Sequence, residues 1–136
     1  MPVIFFTVPD GMLCERAQSD LVEQASRIFA DELGSPIERV RAFVNVHNPR
    51  QAAVGGVVNG PPALFFEFIM LKGRPSEQRL SLMKKLSELM AEMTGADIST
   101  VRGMCRQIDA DDWCIAGEPA SVARADHVAA LARAQS

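Results

Sequence analysis

The residues with the greatest chemical potential stand at the head of the chain. Met1-Pro2 precedes an apolar run, Val3-Ile4-Phe5-Phe6-Thr7-Val8. Methionine aminopeptidases remove Met1 when the next residue is small, and proline qualifies. The processed chain would begin with a free prolyl amine, a secondary amine on a rigid ring. A free α-amino group has a reference pKa of about 7.7–8.0. Burial and a nearby cation both push that value down. An amine tuned toward neutrality is a usable general base, or a nucleophile toward carbonyls. The plainer alternative is that Pro2 only fixes φ ahead of a strand. Few other residues offer chemistry. His47 falls at a strand end from which it could reach the amine. Cys14, Cys105 and Cys114 are an odd number without paired spacing, which fits a reducing cytoplasm. Cys105 and Cys114 lack a neighbouring base and read as buried small apolar residues. His47 and His127 are the only histidines and lie far apart, so no metal-ligand cluster stands out.

Something must position the amine, and length and composition bound what that is. The 136 residues suggest one domain spanning 1–136, with enough chain to bury a substantial core. Hydrophobic residues make up 48% and charged residues 23%, an ordinary globular composition. The net charge of −3 argues against a nucleic-acid partner, which would demand a basic face. The apolar run Ala63–Leu71 is too short to span a bilayer and carries Glu67. The amino terminus has no basic n-region, so no signal peptide is expected and the expected location is cytoplasmic.

The elements come as one unit written twice. Pro2–Val8 reads as a buried strand and Pro9-Asp10-Gly11 breaks it. Leu13, Ala17, Leu21, Val22, Ala25, Ile28, Phe29 and Leu33 follow helical spacing until Gly34 and Pro36. Val40–Val46 is the next strand, and Gly55-Gly56 closes a short hairpin. The pattern restarts at Ala63–Leu71. Leu82, Met83, Leu86, Leu89, Met90 and Met93 mark a second helix face, Gly95 ends it, and Val101–Ile108 and Asp109–Gly117 complete the copy. The two helix ends lie 61 residues apart (95 minus 34). The expected fold class is α+β: two β-α-β repeats, about 2–58 and 63–118, related by a pseudo-twofold. They build a four-stranded sheet with both helices on one face, plus short hairpin strands. The other sheet face has no helix to cover it, which favours an oligomer. Phe5, Phe6, Phe65 and Phe66 belong to the core or to that interface. Residues 119–136 are a terminal helix, over Ser121–Arg133, or a frayed tail.

Four features in order carry a family likeness. They are Met1-Pro2 before an apolar strand, the doubled unit, Gly73-Arg74-Pro75-Ser76-Glu77-Gln78-Arg79 opening the second helix, and Asp111-Asp112-Trp113 before Gly117. Together they resemble the tautomerase superfamily, whose members include 4-oxalocrotonate tautomerase and macrophage migration inhibitory factor. The long double-repeat subunits are most similar, in the malonate semialdehyde decarboxylase and cis-3-chloroacrylic acid dehalogenase branches. The resemblance covers about residues 2–118. It implies a cytoplasmic homotrimer without cofactor, acting on a small carboxylic acid held by arginine. It also implies Pro2 as the catalytic group and Trp113 as a wall of the substrate pocket.

In a pseudo-twofold pair the central strands run antiparallel, so the start of Pro2–Val8 lies near the end of Leu64–Leu71. Arg74, just past that end, would hold a substrate carboxylate bidentately and depress the amine pKa. Leu64 stands where Pro2 stands and is no chain terminus, so one site per chain follows. Relatives often pair that arginine with a second; here the neighbour is Lys72, a point charge without the fork. Glu38 falls near the acidic residue of the decarboxylase branch and is a candidate to orient water. The expected function is keto-enol proton transfer on a small oxo or enol acid, an isomerase with Pro2 as base. The alternatives are a decarboxylase, hydratase or dehalogenase with Pro2 protonated, a non-catalytic binding trimer, and an unrelated ferredoxin-like dimer in which Pro2 is inert.

Overall fold

The computed structural model describes residues 1–135. The first unit is β1 (Val3–Pro9), α1 (Glu15–Leu33) and β2 (Arg41–His47), followed by the hairpin β3 (Ala53–Val54) and β4 (Val57–Val58). The second is β5 (Leu64–Leu71), α2 (Ser76–Thr94) and β6 (Val101–Ile108), followed by β7 (Cys114–Ile115) and β8 (Glu118–Pro119). Two further helices close the chain, α3 (Ala120–Ala123) and α4 (Ala125–Gln135), broken at Arg124.

Local sequence explains the boundaries. Gly34 and Gly95 take left-handed φ values of 61° and 74°. Their N–H groups donate to Ala30 and Ala91, which satisfies the ends of α1 and α2. Both hairpins turn through two positive-φ residues, Gly55-Gly56 and Ala116-Gly117, as a tight hairpin connection requires.

The sheet order is β2-β1-β5-β6. Strands within a unit pair in parallel, and β1 and β5 pair antiparallel at the centre. Val3 opposes Ile69 and Thr7 opposes Phe65. A shift of 62 residues exchanges these two pairs, which is the pseudo-twofold in the register itself. The outer strands keep the 61-residue offset seen at the helix ends: Arg41 opposes Val3 and Arg102 opposes Phe65. The same registers put Leu64 in the position of Pro2.

Ile4, Phe6 and Val8 of β1 and Phe66, Phe68 and Met70 of β5 point to the helices and are buried. Leu21, Ala25 and Phe29 of α1 and Leu82, Leu86 and Met90 of α2 cover them. Phe29 meets Phe68 edge-on at 5.4 Å. The Phe66 ring lies over Gly103, where a Cβ would collide with it. The opposite face is open: Phe43 is 47%, Phe65 38% and Met104 37% exposed. Phe5 stacks on Phe43 at 5.3 Å there, and Arg106 pairs with Glu67 at 3.3 Å. The expected quartet of phenylalanines therefore divides, with Phe6 and Phe66 in the core and Phe5 and Phe65 on the open face. The cysteines correct the sequence reading. Cys114 is exposed, because the two-residue strand β7 lies outside the core, whereas Cys105 on β6 is half-buried and packs against the core.

Candidate active site

Pro2 is fully buried at the head of β1. Its carbonyl accepts the Arg41 N–H at 3.0 Å, which registers β2 against it. The chain's amino group, carried by Met1, donates to the Arg39 carbonyl at 3.1 Å. A short turn, Ile37–Arg39, joins α1 to β2 and so brings Glu38, Arg39 and Arg41 to the amino terminus. The second unit's hairpin brings Trp113 through Ala116, and the α3–α4 break brings Arg124. These residues line a cavity of about 500 Å³ that opens on Met1.

The cavity is cationic. Among the described residues no carboxylate pairs with Arg39, Arg41, Arg74 or Arg124. Glu38 is the one acidic side chain in its wall. Burial first, then the charges of Arg124, Arg39, Arg41 and Arg74, lower the amino group's pKa from 8.0 to about 6. Both causes disfavour the ammonium form. An amine there is neutral at pH 7 and can accept a proton. His127 on α4 has its pKa lowered by burial first, then by Arg74, Arg39, the amino group and Arg124. Its imidazole is therefore held neutral. No cluster of three or more metal-ligating side chains occurs among the described residues.

The residues singled out in the sequence fall in different places. Glu38 and Trp113 line the cavity. Arg74 lies near enough to depress the amino group but does not line the cavity. Its guanidinium donates to the Leu33 carbonyl at 3.0 Å, Ser35 Oγ at 3.1 Å and Gln78 Oε1 at 3.4 Å. It ties the carboxyl end of α1 to the start of α2, where a cation suits unpaired helix carbonyls. Lys72 points away to an exposed pair with Asp109 at 3.1 Å. His47 sits at the other end of the sheet. It opposes Pro9, and about six residues of strand, ~20 Å, separate it from Arg41. It lines a different cavity, beneath the first hairpin, and does not reach the amino terminus of its own chain.

Arg39, Arg41, Arg124 and His127 escaped the sequence reading. Arg39 and Arg41 fall at the start of the expected strand Val40–Val46, with no motif to mark them. The signal was available: in a parallel β-α-β unit the start of β2 lies beside the start of β1. Arg124 and His127 carried no signal, because their segment looked like a separable tail.

Known proteins supply the comparison. The family model described as "Tautomerase enzyme" matches residues 65–123. The chain is 32% identical over 53 residues to 2-hydroxymuconate tautomerase of Pseudomonas putida, covering 39% of this chain and 84% of that relative. The structure of Pt0534 inactivated by 2-oxo-3-pentynoate superposes with a TM-score of 0.83 at 25% identity, covering 89% of this chain and 98% of that one. A fused 4-OT symmetric trimer gives 0.82 at 23% identity over 89% and 98% of the two chains, a likeness of fold alone. No helix among the described residues is long and apolar enough to cross a membrane. The doubled register, the matched relative and the superposed folds agree: the chain belongs to the tautomerase superfamily of enzymes, in its double-repeat form.

Proposed function

We propose that this protein is a tautomerase whose general base is the amine of Pro2, freed by removal of Met1. The observation that carries this reading is the depressed amino group: at the head of β1, buried and ringed by arginines, its pKa falls to about 6. Loss of Met1 would move the amine onto Pro2, where the same arginines disfavour the ammonium form. The substrate is a small 2-oxo or 2-hydroxy-enoic acid. Arg39 supplies the charged contact that holds its carboxylate, with Arg41, Arg124 and Arg74 adding their fields around it. The neutral amine takes the enol O–H proton as the C=O bond forms. The resulting ammonium returns a proton to carbon, so the amine is regenerated and no redox group or other cofactor is needed. Trp113 walls the pocket, and Glu38 faces it.

A protonated proline would serve the decarboxylase and hydratase alternatives. A setting that disfavours the ammonium form weighs against both. The homotrimer is proposed on two grounds: the trimeric fused 4-OT fold, and an open sheet face carrying Phe43, Phe65 and Met104.

Intact-mass measurement of the untagged protein is the first test, followed by ketonisation of phenylenolpyruvate with Pro2→Ala as control. A mass short by one methionine, with activity lost in Pro2→Ala, is the expected result. Full retention of Met1 would sink the proposal, because the proline nitrogen would then be a non-basic amide. Equal activity of Pro2→Ala and wild type would sink it too.

A further inference from the structure

The last segment of the chain, residues 124–135, lies beyond the 65–123 match, yet it is built against the site. Helix α4 is seated on the loop that carries Arg74. A Cβ at Gly73 would stand 3.0 Å from Leu131 Cβ, and Gly73 has φ of 118°, a conformation that favours glycine. This contact brings Arg124 and His127 to the amino terminus. A second cavity, of about 320 Å³, lies beyond the first and is lined by Arg39, Arg124, Asp126 and His127. Arg39 and Arg124 belong to the walls of both, so they stand between an inner chamber, which opens on the amine, and an outer one at the α3–α4 break.

Arg124 is underused. The one side-chain bond it makes is from Nη1 to the Ala123 carbonyl at 3.2 Å, and no carboxylate pairs with it among the described residues. A half-buried, unpaired guanidinium at the mouth between two chambers is poised to accept a planar anion. Asp126 is the only acidic group in the outer wall, against the two arginines.

We propose that Arg124 is a specificity-determining residue, holding a second anionic group at the far end of the substrate acid, with His127 lining the space that end occupies. This rests on the amino-terminal cavity being the substrate site.

Trp113 is the only tryptophan and lines the inner chamber, so its fluorescence reports binding without turnover. The probes are 2-oxoadipate and 2-oxohexanoate, acids of equal length that end in a carboxylate and a methyl group. Wild type is expected to bind 2-oxoadipate about tenfold more tightly, as one charge-assisted contact implies. Arg124→Gln is expected to bring that ratio within about twofold while the 2-oxohexanoate Kd stays within about twofold, and Arg124→Lys to keep part of it. His127→Phe is expected to weaken both acids by a common factor of about three or less and to leave the ratio in place. A ratio untouched by Arg124→Gln, or both acids weakened equally by it, would overturn the proposal. Absence of discrimination in wild type would do the same. Discrimination without ketonisation of any enol acid would instead overturn the proposed function and leave this inference standing.

Discussion

The amino-terminal cavity has a counterpart across the pseudo-twofold, and the two share a frame but not a chemistry. Arg41 donates from Nη1 to the carbonyls of Glu38 and Val40 at 2.7 and 3.2 Å. Arg102 donates in the same way to Ser99 and Val101 at 2.7 and 3.0 Å. In both halves the arginine at the start of the outer strand clamps the preceding turn. The cavity beside Arg102 measures about 400 Å³ and is lined by Val54, Pro62, Ala63, Leu64, Phe65 and Thr100, among others. Thr100 stands where the first half has Arg39, and Ser99 where it has Glu38. Leu64 stands where the first half has Pro2. The duplicated fold supplies a pocket and one structural arginine. A chain terminus and extra cations turn one of the two pockets into a candidate for proton transfer.

The comparison can be broken by making the first half resemble the second. Pro2→Ala, assayed as kcat/KM for an enol acid, is expected to cost about 10²–10⁴-fold, the usual range for a positioned general base. Arg39→Thr copies the counterpart residue, Thr100, on an equivalent turn. It is expected to raise KM about 10–100-fold through loss of a charged contact, with the melting temperature nearly unchanged. A Michaelis–Menten analysis beside a thermal melt separates the two effects.

The pH profile sharpens the same contrast. The active form is the neutral amine of Pro2, so kcat/KM should rise with pH and level off above an apparent pKa lower than that of a free prolyl amine, because Pro2 is buried and the arginines that lower the Met1 amino group surround it as well. Removing a neighbouring cation favours the ammonium form. Arg39→Thr should therefore move that limb to higher pH. A limb unmoved by the substitution would mean that Arg39 is too well solvated to act on the amine.

The smallest effects concern the frame. Gly103 and Ala42 hold equivalent places on the outer strands, opposite Phe66 and Ile4 respectively. The large ring is matched by the absent side chain. Gly103→Ala should cost about 1–3 kcal/mol by overpacking a buried ring, read as a lower denaturation midpoint. Ala42→Gly should cost about 0.5–1 kcal/mol, mainly through backbone entropy.

Much of the fold was legible because it is written in periodicity. The helix stripes, the glycine stops and the doubled pattern need only local rules, and Leu64 was correctly matched with Pro2. Glu38 and Trp113 were placed near the amine through the resemblance and do line the cavity. The rest depended on direction. Nothing local shows that Arg74 turns back to the carbonyls of α1 rather than into the cavity, or that Lys72 turns to Asp109. His47 was misjudged for a topological reason: a strand end is near the site only if it is the correct end. Arg124 and His127 were invisible because their contribution depends on where α4 docks, and that rests on the bare backbone at Gly73.

The seating of α4 on Gly73 means that the cavity draws on two segments far apart in the sequence, the start of β1 and the α3–α4 break. Segments held by few contacts open before a central sheet does. The central strands β1 and β5 can stay folded while α4 loosens. Nicking between Arg124 and Leu131 should therefore silence the protein while its circular dichroism hardly changes, so that durability of function and durability of the fold become separate properties of this chain.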